Sequence, residues 1–250
     1  HQYALGGYYT GINDWEFSVE GYYKDMRNVL EYKDGVSFFG SSSGWENKVE
    51  MGKGRSAGIE FMAQKTAGKT TGWLSYTLSK SDRKFTKGGI NNGEWFPYKY
   101  DRRHSINLTI NHKFSDRIDI GASWVFYTGG TSTIPEEKTT VIRPHNGANN
   151  GFLWYGTYDN TNSSPTIGDV SYIEHRNNSR LPASHRLNLG VNFNKKTKHG
   201  MRTWNISLYN AYNAMNPAWV YRGHNKQGLS VIKKYTLLPL IPSFTYTYKF

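Results

Sequence analysis

Phe244-Thr245-Tyr246-Thr247-Tyr248-Lys249-Phe250 closes the chain with an aromatic ring at every second position. Side chains alternate across a β-strand, so this period makes one face apolar and the other polar. No helical pattern lies beside it to cover the apolar face. A strand that is apolar outward, polar inward and aromatic at its rim meets the requirements of a β-barrel wall in a lipid bilayer.

The alternation recurs upstream. Trp15, Phe17, Val19 and Tyr23 oppose Glu16, Ser18, Glu20 and Lys24 over about 14–25. Ile59, Phe61 and Ala63 oppose Gly58, Glu60 and Gln64, and Leu74, Tyr76 and Leu78 oppose Ser75, Thr77 and Ser79. Further strands run through Ile106, Leu108 and Ile110, through Ile118, Ile120, Ala122, Trp124 and Phe126, and through Leu187, Leu189, Val191 and Phe193. Trp204, Ile206 and Leu208 continue the pattern until Asn210 breaks it; residues 2–11 form a weaker first strand, and 231–250 are predicted as the ninth. Leu108, Leu189 and Leu208 share the apolar parity near mid-strand and are expected to face lipid, with Asn107, Asn188 and Ser207 turned toward a polar lumen.

The connections alternate as well. Gly11-Ile12-Asn13-Asp14, Ala67-Gly68-Lys69-Thr70, Ser115-Asp116-Arg117 and Lys195 to Gly200 are short turns, whereas 27–53, 85–100, 130–184 and 214–230 are long. Short turns on one side and long loops on the other fit an outer-membrane barrel better than a propeller or a sandwich. With the C-terminus on the short-turn side, nine strands place His1 on the long-loop side. Single-chain bacterial barrels have an even strand number and both ends in the periplasm. The nine strands are therefore expected to be part of a larger barrel, with a signal peptide and earlier strands upstream of residue 1.

Composition agrees. Hydrophobic residues make up 37% of the 250 residues, too few for a conventional two-layer core, while 19 Tyr and 8 Trp supply ring systems suited to a membrane–water boundary. The mean hydropathy of −0.70 is no objection, because barrel strands carry apolar residues only at alternate positions. No apolar run reaches the ~18–20 residues of a membrane helix. Cysteine is absent, which excludes disulfides and thiolate metal sites. The net charge of +12 comes from basic residues scattered over turns and loops, without a nucleic-acid-binding motif, so no nucleic-acid partner is expected.

Several phrases carry a family resemblance. Trp95-Phe96-Pro97-Tyr98-Lys99-Tyr100-Asp101-Arg102-Arg103-His104 leads into a strand, followed by Trp124-Val125-Phe126-Tyr127-Thr128-Gly129-Gly130. Leu181-Pro182-Ala183-Ser184-His185-Arg186, Asn210-Ala211-Tyr212-Asn213-Ala214-Met215-Asn216-Pro217 and Leu237-Leu238-Pro239-Leu240-Ile241-Pro242 come later, in that order. Together they resemble the C-terminal barrel of TonB-dependent outer-membrane transporters of the Bacteroidota type, over essentially all of residues 1–250. The resemblance implies a barrel of about 22 strands with a plugged lumen, the plug lying N-terminal to this chain. It implies capture of a siderophore, cobalamin, peptide or glycan by extracellular loops and import past a plug moved by the TonB energising complex. The implied location is the outer membrane of a Gram-negative bacterium, with long loops extracellular and short turns and C-terminus periplasmic. Outer-membrane lipid and the barrel-insertion machinery are further implied partners. Phe250 matches the terminal aromatic that this machinery reads, and it equally suits the periplasmic aromatic girdle. Part of the family also carries a surface lipoprotein; the phrases here are closer to the branch without an obligatory one. A non-energised barrel, such as a porin, an adhesin or a secretion-assembly scaffold, is the alternative.

No catalytic constellation emerges, and the chain does not read as an enzyme. Gly40-Ser41-Ser42-Ser43-Gly44 matches G-x-S-x-G but sits in a Gly/Ser loop rather than a strand-to-helix turn. Gly68-Lys69-Thr70 resembles the end of a phosphate loop but lacks the first glycine, Ala63 standing there. The eight histidines show no metal-ligand spacing, and His104, His112 and His185 take the outward parity near strand ends. No cofactor is expected. The candidate substrate-binding residues are aromatic and cationic loop residues: Trp95, Tyr98, Arg102, Arg103, Trp154, Tyr155, Trp219 and Tyr221. Such groups grip sugars, peptides or metal chelates, or else pack the loops against one another.

Overall fold

The computed structural model describes residues 1–34, 44–87, 89–135, 137–143 and 166–250, and only the backbone of 137–143, 166–171 and 230. Nine strands form one continuous wall: β1 Gln2–Tyr9, β2 Trp15–Tyr32, β3 Val49–Lys65, β4 Thr70–Lys84, β5 His104–Lys113, β6 Ile118–Tyr127, β7 Ser184–Thr197, β8 Gly200–Tyr209 and β9 Ile241–Lys249. Each pairs antiparallel with its neighbour in sequence, and β1 and β9 do not pair with each other, so the described wall is an open meander. No described helix is long and apolar enough to cross a membrane, a statement that has no bearing on strands.

In an antiparallel ladder, residues directly opposite share a face. One transverse row runs Phe17, Ala63, Leu74, Leu108, Trp124, Leu187, and another Ile110, Ala122, Leu189, Leu208. Leu108, Leu189 and Leu208 thus stand on one apolar face. Asn107 pairs with Ser75, Asn188 with Ser123, and Ser207 with Gly190 on the opposite face. That face carries its own hydrogen-bond ladder. Asn192 and Asn194 each donate to a carboxylate oxygen of Asp119 at 2.6 Å, while Asn205 donates to Asn192 and Thr203 to Asn194, both at 2.7 Å.

The four short turns lie at one end of the wall. In residues 114–117 the Ser115 hydroxyl accepts the backbone N–H groups of Arg117 and Ile118. Lys113 lies 3.1 Å from Asp116 and, through a hydrogen bond and its charge, holds that carboxyl below the usual range. At the other end β2, β3 and β4 run to 18, 17 and 15 residues, against 10 for β5 and β6. A bulge between Arg27 and Val29 lets β2 continue, with Asn28 in the left-handed conformation at φ 57°. Beyond it Glu31 opposes Glu50 on the polar side.

The stretch 231–250 is not one strand. Ser230–Thr236 folds back on Pro217–His224 as a separate hairpin, and only β9 joins the wall. The hairpin turn is built by Asn225, whose side-chain oxygen accepts the N–H groups of Gln227 and Leu229, with Gly228 at φ 80°. Leu238 at φ 58°, followed by Pro239, then breaks the extended run, because neither can continue a ladder there.

The buried apolar core among the described residues is small: Phe85, Ile90 and Phe96, with Val29 against them, under the connection from β4 to β5. Gly52 lets this cluster approach β3, since a Cβ there would lie 2.5 Å from Phe85 Cδ1. No described residue outside the strands covers most of the apolar face of the wall, where Leu5 is 85% and Phe244 63% exposed. Phe85→Ala should therefore unfold the connection alone, at a cost near the lower end of the range for buried aromatics, about 3 kcal/mol. Limited proteolysis should show faster cleavage within 85–103 while the wall strands keep their protection.

Candidate functional site

The long connections meet at the end of the wall opposite the short turns, and charged groups hold them together. The Asp101 side chain is fully buried; its carboxylate accepts the Ser81 N–H at 2.7 Å and contacts Arg180 at 2.6 Å and Arg103 at 3.2 Å. Arg180 also donates to the carbonyls of Asp101 and Gly129. One carboxylate thereby joins β4, the β4–β5 connection and the β6–β7 connection. Glu31 plays the same part beside it, paired with Arg83 at 3.1 Å and Arg176 at 3.3 Å. Arg176 reaches Asp34 as well, and its N–H is accepted by the Asn91 side chain.

The aromatic residues expected at the site are spread over three surroundings. Trp95 lies under the Arg55 guanidinium at 4.3 Å, on the parity of the apolar face. Tyr98 carries Arg83 at 3.6 Å and meets Tyr100 edge-on at 5.2 Å. Arg103 is committed to Asp101. Trp219 stacks on Tyr235 at 4.3 Å across the 217–236 hairpin, where Tyr221 is exposed opposite Lys233. Trp154 and Tyr155 lie outside the described residues, as do Gly40 to Ser43 of the Gly/Ser loop.

Two of the expected residues, Arg102 and Trp219, border one cleft. Together with Lys99, Tyr100 and Tyr127 they line a cleft of about 280 Å³ whose floor is the Gly129-Gly130 backbone. Arg102 lies 3.8 Å over the Tyr127 ring, and Lys99 lies 4.9 Å over Tyr100. Among the described residues no acidic side chain lines the cleft, and neither Lys99 nor Arg102 has a carboxylate partner. Glycine is required in the floor: a Cβ on Gly129 would fall 2.1 Å from the Leu181 carbonyl, and one on Gly130 2.5 Å from that of Lys99. Unneutralised cations beside ring faces suit a ligand that carries negative charge and a flat or apolar surface.

The histidines are engaged otherwise. His104 bonds Tyr76 at 2.9 Å, His112 bonds Thr70 at 2.7 Å and His185 bonds Tyr212 at 2.8 Å. Among the described residues no group of three His, Asp or Glu is placed to hold a metal ion. Reading the sequence did not single out Asp101, Arg180, Arg176, Lys99 or Tyr127. Asp101 sits inside a phrase quoted above, but Arg180 is 79 residues from it and no periodicity links the two.

The family described as TonB dependent receptor-like, beta-barrel matches residues 1–216, from β1 through β8. No curated protein matches the chain.

Removing Asp101 leaves two guanidinium groups facing each other at a buried position. Asp101→Ala should cost about 3 kcal/mol, toward the lower end for a broken buried ion pair because both arginines keep contact with solvent. Thermal unfolding of the purified protein should shift down accordingly, and Arg103→Ala should have a smaller effect because Arg180 remains.

Proposed function

Since the chain belongs to the TonB-dependent receptor-like β-barrel family, and so to receptors of the Gram-negative outer membrane, we propose that it supplies wall and ligand mouth to an energised importer of the Bacteroidota type. In this reading the apolar face meets hydrocarbon, the polar face lines the lumen, and the nine strands belong to a barrel of about 22. The short turns and Phe250 lie in the periplasm, and the long connections form the extracellular mouth. Ligand is captured at the mouth and passes beside a plug that the TonB complex displaces from the inner side.

The observation that carries the ligand reading is the acid-free cleft with Lys99 and Arg102 over aromatic rings. It favours an anionic metal chelate or an acidic peptide over a neutral glycan. The Asp101 and Glu31 clamps support this role by holding the connections in one arrangement, so that little ordering entropy is lost on binding. Trp219, at the rim, offers a fluorescence reporter.

Titration of the intact, detergent-purified protein with anionic metal chelates, acidic peptides and neutral oligosaccharides tests the proposal. Arg102→Ala should weaken the anionic ligand by roughly 10–100-fold, the range for a charged hydrogen bond, without changing thermal stability much. Equal binding of the neutral sugars, or indifference to Arg102→Ala, would move the ligand site elsewhere. The membrane reading has its own test. Arg placed at Leu108, Leu189 or Leu208 should cost roughly 2–4 kcal/mol at the bilayer midplane, while Arg at Asn107, Asn188 or Ser207 should be mild. Refolding of the complete barrel into lipid vesicles measures both sets, and a reversed order would mean that the faces are exchanged.

A further inference from the structure

On the apolar face the side chains change character at two levels of the wall. Lys65 and Arg55 on β3 are ten residues apart, with Ala63, Phe61, Ile59 and Ala57 between them on that face. Thr70 and Lys80 on β4 are also ten apart and enclose Leu74, Tyr76 and Leu78. Ten residues of strand rise ~33 Å, which at a tilt of ~40° covers ~25 Å, the height of the apolar band of outer-membrane barrels. Just beyond the end of that band nearer the long connections, the next row across β2, β3 and β4 reads Arg27, Lys53, Lys84.

Three cations side by side in one row repel one another, since like charges directly opposite destabilise a strand pair. Adjacent strands lie ~4.8 Å apart, so the whole row spans ~10 Å. Arg27 is 69% exposed and only loosely paired with Asp25 at 3.8 Å. Lys53 and Lys84 have no side-chain partner among the described residues. One row nearer the band, Arg55 contacts Asp82 at 3.1 Å, and Lys80 contacts the same carboxylate at 3.5 Å. The Trp95 ring keeps the Arg55 guanidinium at the wall. Five cations and two carboxylates thus border an apolar surface that begins at Tyr23 and Ile59.

We infer that this row docks the phosphorylated headgroup of an outer-leaflet glycolipid, whose acyl chains lie along the apolar band beneath it. The inference rests on the membrane orientation proposed above. Its occupant follows from charge complementarity and continuity: a phosphate immediately above hydrocarbon is the arrangement such a lipid presents, whereas a free phosphate makes no use of the apolar band. Polybasic groups at a membrane surface gain from each anionic headgroup they meet.

The test is native mass spectrometry of the intact protein in non-ionic detergent after exchange with bis-phosphorylated lipid A or with its dephosphorylated form. The phosphorylated lipid should occupy the protein at least ~10-fold more, a preference that R27Q/K53Q/K84Q should abolish. The control variant K65Q/K195Q/R202Q should leave it unchanged: Lys65 lies at the other boundary of the band, and Lys195 pairs with Arg202 one row beyond Phe193 and Trp204 on the same face. Millimolar inorganic phosphate should not displace the lipid. Equal occupancy by both lipids, an unaffected R27Q/K53Q/K84Q variant, or displacement by inorganic phosphate would each overturn the inference. Labelling of a Gln227→Cys variant on whole cells with an impermeant maleimide separates this outcome from failure of the orientation. A labelled cysteine without lipid preference removes the lipid site alone, and an unlabelled one with the preference intact removes the orientation.

Discussion

Every strand of the wall depends on its neighbours for its backbone hydrogen bonds, and the antiparallel register that satisfies them also decides which side chains share a face. Because opposite residues lie on one side, a period-two sequence in each strand becomes a continuous apolar surface only when all the registers agree. They do: Phe17, Ala63, Leu74, Leu108, Trp124 and Leu187 form a single row across six strands. A slip of one residue between β5 and β6, β6 and β7 or β7 and β8 would turn leucines such as Leu108, Leu189 or Leu208 toward the face of Asp119 and its asparagine partners. The hydrogen bonds among Asp119, Asn192, Asn194, Thr203 and Asn205 therefore act as a lock on register as well as a lining for the polar side.

At the end of the wall that carries the long connections, ion pairs take over the organising role that an apolar core has in most domains. Asp82, Asp101 and Glu31 are each largely buried, and each is shared by two cations. A carboxylate that serves two bases leaves the chain with more bases than acids, which accounts in physical terms for part of the net charge of +12. The surplus is not uniformly dispersed. Part of it collects in the cleft as Lys99 and Arg102, and part stands on the opposite face as Arg27, Lys53 and Lys84. The second group lies on the apolar face of the strands, outside the residues that line the cleft.

The same ion pairs that stabilise the connections also shape the cleft. Asp101 fixes the connection that carries Lys99, Tyr100 and Arg102, and Arg180 fixes the facing segment through the Gly129 carbonyl. The cleft is thus bounded by backbone that is tied down from both sides, and its glycine floor admits no added side chain. Aromatic residues divide accordingly: Trp95 and Tyr98 support Arg55 and Arg83 away from the cleft, whereas Tyr127 and Tyr100 carry Arg102 and Lys99 at it, with Trp219 on its border.

The nine strands, their short turns and the identity of each face were legible in the residues, because a period of two is a local property and a wall of nearest neighbours needs no long-range information. Leu108, Leu189, Leu208 and their polar neighbours fall where the alternation puts them. The end of the chain was harder to read. Residues 231–250 read as one strand by alternation, but the hairpin pairing with Pro217–His224 and the left-handed Leu238 divide the stretch. At the cleft, the sequence named Arg102 and Trp219 without the residues that stand beside them. It could not tell that Arg103 is spent on Asp101 while Arg102 lies over Tyr127 at the cleft, with no carboxylate partner among the described residues, although the two are adjacent. That distinction, and the meeting of Asp101 with Arg180, depends on where long connections land after the wall has formed. Local alternation determined the wall; the mouth was decided by tertiary contacts between charges that are distant in the chain and have no periodic signal to announce them.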